Sequence, residues 1–149
     1  PLTMEKVPSA VERKSTLSAE TVVAAQRDLL KNKAVYSAIT EAAAGVYMAS
    51  NTPVDEILVG RHPSVDAATL YDTFKDSREA LRRQFGDVVL AYRAEGKQGS
   101  KPTKNWATTS EFAAQFGPNV IQQNIPIDKV VAINVGLRGK YHELIVDHR

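Results

Sequence analysis

The chain has 149 residues, 43% hydrophobic and 24% charged, with a formal net charge of +2, which suits one domain with its own core. It has no cysteine, which excludes disulfides, thiolate nucleophiles and cysteine–zinc sites, and its three histidines, His62, His142 and His148, form no HxH or HxxxH pair that would suggest a structural metal. The weak positive charge argues against nucleic acid as a partner, and no apolar run approaches the roughly 20 residues of a membrane helix.

Residues 1–17 are polar and mixed, with Pro8 among them, and read as an arm leading into a single domain over residues 18–149. Residues 1–14 hold no apolar signal-peptide core, so the expectation is a soluble, cytoplasmic protein. The opening Pro1 fits a cleaved product or a fragment. Ser18 reads as an N-cap with Glu20 in the first turn, and Val22, Val23, Leu29 and Leu30 form an apolar stripe at helical spacing. A second helix is predicted over 33–50, with Val35, Ala38, Ile39, Ala42 and Val46 on one face and Asn51-Thr52-Pro53 as its stop. Ile57-Leu58-Val59 reads as a connector or brief strand. A third helix is predicted from Ser64 or Asp66 to Gly86, burying Ala67, Leu70, Phe74, Leu81 and Phe85.

The pattern changes after Gly86. Residues 88–94 are β-rich, with Val89, Ala91 and Arg93 on one strand face. A Gly- and Lys-rich loop follows, then Asn105-Trp106-Ala107-Thr108-Thr109 running into a short helix, SEFAAQF. Three further strands are predicted near 119–125, 129–135 and 141–147, the last two joined by GLRGK. The fold class expected is α+β, helical over 18–86 and strand-rich over 87–149.

Three pieces of the strand-rich half are candidates for one site: Arg93 in LAYRA, the NWATTSEFA segment, and Glu143 in KYHELIV. Each charge has apolar neighbours in sequence, and a charge on a half-buried strand needs a partner or a cleft. Bland readings stand beside the functional ones. Arg93 also reads as an edge-strand charge, Glu143 as a solvated strand residue, and Trp106 as core. Thr108-x-x-Glu111 is also a capping box. Lys97, Lys101 and Lys104 read as a solvated loop or as a contact for an anion, and His142 should face away from Glu143.

The ordered trio YRAEG, NWATTSEFAAQFG and GLRGKYHELIV resembles the ADP-ribosyltransferase family of the Arg, Ser-Thr-Ser, Glu type, most of all its short phage- or bacteria-associated members. The resemblance covers about residues 87–147. It implies a small split, mainly antiparallel β-sandwich with the helices packed beside it, and NAD held in a cleft as substrate, with no metal. It further implies transfer of ADP-ribose to a protein acceptor in the manner of a toxin-like effector. In that reading Glu143 stabilises the oxocarbenium-like sugar, Arg93 clamps phosphate through its planar fork, and Thr108 and Thr109 position the ribose. Asn105 shares the first Ser-Thr-Ser position as an alternative to Thr108, Tyr92 or Trp106 packs against nicotinamide, and Tyr141 and Arg138 face the acceptor. Tyr141 stands where many arginine-modifying members carry Glu or Gln, which leaves the acceptor residue open. The alternatives are an inactive module of the same fold, for binding or within a virion, and a helix-rich adaptor whose strands only complete a core.

Overall fold

The computed structural model of the chain describes residues 4–6, 16–40, 51–95, 105–136 and 141–149. Strands β1 (Met4–Lys6), β2 (Val88–Glu95), β3 (Asn105–Ala107), β4 (Asn119–Pro126), β5 (Val130–Asn134) and β6 (Glu143–Val146) form one open antiparallel sheet, in the order β1-β4-β2-β3-β6-β5. Helices α1 (Ala19–Leu30), α2 (Lys33–Ile39), α3 (Asn51–Leu58), α4 (Ala67–Thr73), α5 (Lys75–Phe85) and α6 (Ser110–Ala114) cover it. The α+β expectation holds. Among the described residues no helix is long and apolar enough to cross a membrane.

The sheet has a narrow seam. β2 and β4 stay in register over eight pairs, from Val88↔Pro126 to Glu95↔Asn119, whereas β2 meets β3 at the single pair Tyr92↔Ala107. Two three-stranded halves, β1-β4-β2 and β3-β6-β5, are therefore joined at one point of one sheet, where the sequence reading expects two stacked sheets. Part of the predicted arm belongs to the sheet as well. Met4–Lys6 pairs with Gln123, Gln122 and Ile121, covering an edge of β4 that would otherwise be open. Leu17 is buried in the main core.

Polar caps set the helix starts. Ser18 Oγ accepts from the Thr21 N–H (3.1 Å), Asn32 Oδ1 from the Ala34 N–H (2.9 Å), and Asp66 Oδ1 from the Thr69 N–H (2.7 Å). Gly86, with φ 85°, ends α5 in a conformation that L side chains rarely adopt. Three expectations change. On α1 the buried side is Thr21, Ala24, Ala25 and Asp28, while Val23 and Leu30 are 53% and 64% exposed. Asp28 is drawn inward because its Oδ2 accepts the Ser77 N–H at the start of α5 (2.8 Å). Asn51-Thr52-Pro53 opens α3 instead of stopping a helix, since proline in a first turn lacks only an N–H that has no intrahelical partner. Ile57 and Leu58 are then buried on that helix. The long third helix breaks at Phe74, whose ring is fully buried in a cluster with Val35, Ile57 and Leu70. The predicted run through Ala42, Val46 and Ser50 lies outside the described residues.

The two faces of the sheet are packed differently. On one, Val89, Ala91, Trp106, Ile125, Leu144 and Val146 form a continuous cluster with Ala25 of α1 and Leu81 of α5. The other carries two separate clusters. Ala132 and Ile145 pack against α2, α3 and α4, while Tyr92 and Ala107 pack against Ala113 of α6.

Candidate functional site

The gap between those two clusters is polar. Residues directly opposed in an antiparallel pair share a face, and diagonal neighbours remain within reach of longer side chains. The registers Tyr92↔Ala107, Ala107↔Glu143 and Asn134↔Glu143 therefore set Tyr92, Ala107, Glu143 and Asn134 in one row across four strands. Asn105 lies on the diagonal, and its Nδ2 donates to Glu143 Oε2 at 2.5 Å. Glu143 is 9% exposed and Asn134 4%. Burial pushes the Glu143 carboxyl above the usual carboxylate range, and the hydrogen bond from Asn105 opposes that shift. The result is a nearly buried carboxyl between two carboxamides.

Just beyond β3 come three buried hydroxyls, Thr108, Thr109 and Ser110. Thr109 caps α6, its Oγ1 accepting the Phe112 N–H at 3.1 Å. The cap thus falls one residue later than the Thr108-x-x-Glu111 pattern predicts. Thr108 is left with a buried Oγ1 that has no hydrogen-bond partner. It follows Ala107, the residue paired with Glu143.

Arg93 and Trp106 occupy the opposite face. The Arg93 guanidinium lies over the Trp106 ring, 4.6 Å from its centroid, and Arg93 is paired with Ile121, which packs on the continuous cluster. Trp106 is fully buried there, and its Nε1 donates to His148 Nε2 at 3.2 Å. The expectation that Arg93 and Glu143 meet is not met, because strand alternation turns Arg93 away from the row that holds Tyr92 and Glu143. Trp106 takes its core reading. Tyr92 shares the Glu143 face, 2% exposed and packed with Ala107 and Ala113. Tyr141 is half-buried, its N–H donating to the Val135 carbonyl at 3.2 Å, and His142, also half-buried, directly precedes β6. Arg138, Lys97, Lys101 and Lys104 lie outside the described residues.

Asn134 is the site residue that sequence reasoning misses. Its signal is a single carboxamide inside the apolar run VVAINVG. No group of three or more His, Asp or Glu side chains suited to a metal occurs among the described residues. Comparison with protein-family models, with curated proteins and with solved structures gives no match, so the site rests on its own geometry.

Proposed function

We propose that this chain is an NAD-dependent mono-ADP-ribosyltransferase that passes ADP-ribose from NAD to a protein acceptor and releases nicotinamide. One observation carries the reading. A strand-end carboxamide, Asn105, is bonded to a nearly buried carboxyl, Glu143, 38 residues later, in the chain order that the resemblance implies. The donor set suits the reaction. As the nicotinamide–ribose bond breaks, its electron pair leaves with nicotinamide and positive charge builds on the sugar. An ionised Glu143 stabilises that charge and accepts a hydrogen bond from a ribose hydroxyl, and Asn105 fixes its rotamer. A nucleophile of the acceptor then bonds to the anomeric carbon and loses its proton to solvent or to Glu143. Arg93 acts at one remove in this scheme, bracing Trp106, the chain neighbour of Asn105. The resemblance points to a phage or bacterial effector acting in a host cytoplasm. Because the ionised form of Glu143 does the work and burial raises its pKa, nicotinamide release should fall as pH drops, starting above the ordinary glutamate range.

A second reading, an inactive module of the same kind, draws on a different observation. Arg93 stacks on Trp106 on the face away from Glu143, leaving no guanidinium beside the carboxyl among the described residues. Labelled NAD incubated with a target-cell lysate separates the two. Label transferred to protein by the wild type and lost in Glu143→Ala supports the enzyme. No transfer and no nicotinamide release from either protein supports the inactive module.

A further inference from the structure

Trp106 is the one tryptophan of the chain, and it is fully buried. Its polar side-chain atom, Nε1, donates at 3.2 Å to Nε2 of His148, an exposed residue just beyond β6. The two rings are 6.1 Å apart and tilted by 38°. An indole N–H can only donate, so it needs an acceptor when buried. An imidazole nitrogen accepts only while it carries no proton, so this contact requires neutral His148 with its hydrogen on Nδ1. The indole belongs to β3, which is three residues long and meets β2 at the single pair Tyr92↔Ala107.

We infer that His148 is a pH-sensitive clasp on β3: neutral, it holds the Trp106 indole through Nε2, and a proton taken from solvent onto Nε2 opens the contact. The imidazolium then turns an N–H toward an N–H, and the buried indole loses its acceptor. Among the described residues, Asp55, Glu56, Arg61, Asp147 and Arg149 line the same depression as His148. The Arg93 guanidinium lies over the indole ring, 4.6 Å from its centroid, so protonation brings a second cation to one ring. Carboxylates and guanidinium groups ordinarily keep their charges across about pH 5 to 8, where a histidine changes its own. Opening the clasp loosens β3 at the one-pair seam, while β2 and β4, paired over eight residues, stay in place. The inference does not depend on the chemistry assigned to Glu143.

The test follows the single indole N–H and the backbone amides by magnetic resonance, through chemical shift and hydrogen exchange, in wild type, His148→Gln and His148→Ala. Both variants replace an exposed side chain, and unchanged β2 and β4 amides check that each is folded. Glutamine sets Oε1 as many bonds from Cα as histidine sets Nε2, and it accepts at every pH. The indole shift should titrate between about pH 5 and 8 in wild type and stay flat in His148→Gln. Comparing proteins at one pH cancels the intrinsic effect of acid on exchange. At about pH 8 wild type and His148→Gln should exchange alike. At about pH 5 wild type should exchange about tenfold faster, at the indole and at the Trp106 and Ala107 amides, and should match His148→Ala. A wild-type indole shift that does not titrate, a titration that survives His148→Gln, full indole protection in His148→Ala, or Trp106 and Ala107 amides unmoved while the indole titrates would each overturn the clasp.

Discussion

The two faces of the sheet solve the burial problem in opposite ways. The face toward α1 and α5 carries one continuous apolar cluster, and Arg93 places its guanidinium over the Trp106 ring on that face. The face toward α2, α3, α4 and α6 is divided by a strip of Asn134, Glu143 and Asn105. A core gains nothing from such a strip, because each polar group loses water when it is buried. A carboxyl kept there at a thermodynamic cost is where chemistry is expected. The first face holds the molecule together, and the second holds the candidate site.

Substitutions on the two faces should therefore differ in size and in sign. Trp106→Ala empties the continuous cluster and should cost about 4 kcal/mol in urea unfolding. A loss below about 1 kcal/mol would mean that this face is not the main core. Asp147→Asn probes a polar group whose role is structural. Asp147 accepts from Tyr71 Oη (2.9 Å) and from Arg149. Burial pushes its carboxyl up, but the hydrogen bonds from Arg149 and Tyr71 outweigh that and hold it at about 2. Burial and the bond to Asp147 raise Tyr71 to about 12. A depressed carboxylate stabilises the fold fully above its unfolded pKa and loses that contribution as pH falls toward about 2. The substitution should cost about 2 kcal/mol at neutral pH, with the gap between the proteins closing in acid.

Smaller effects sharpen the site. Thr109→Ala removes the α6 cap and should cost about 1 kcal/mol, whereas Thr108→Ala removes a hydroxyl with no partner and should be close to neutral for stability. Equal losses from both would contradict the assignment of the cap to Thr109. Glu143→Gln should change stability only slightly, and in the favourable direction. A carboxyl whose pKa is raised by folding contributes most in acid and loses that contribution as pH rises. The variant should therefore melt above wild type at pH 7, and the two curves should converge in acid.

Much of this was legible in the sequence because it depends on local rules. Alternation within 88–95 groups Val89, Ala91 and Arg93, and all three do sit on one face. Ser18, Asp66 and Gly86 act as helix boundaries where residue chemistry places them. What was not legible depends on how distant segments meet. Whether Arg93 faces Glu143 is decided by the register of β3, three residues long and joined to β2 by one pair, and a shift of one residue would reverse it. The face that α1 buries depends on Asp28 reaching the Ser77 N–H, 49 positions away. Asn134 gains meaning only when β5 is laid beside β6.

The most direct measurement is the initial rate of nicotinamide release at saturating NAD, read alongside the melting temperature, for wild type, Glu143→Gln and Arg93→Lys. The account predicts that Glu143→Gln loses on the order of a hundredfold or more in rate while melting at or above wild type. It predicts that Arg93→Lys loses about 1 kcal/mol of stability as the guanidinium contact over Trp106 is lost, with far less loss of rate. A wild type that releases nicotinamide, together with a Glu143→Gln variant that releases it equally fast, would contradict the account.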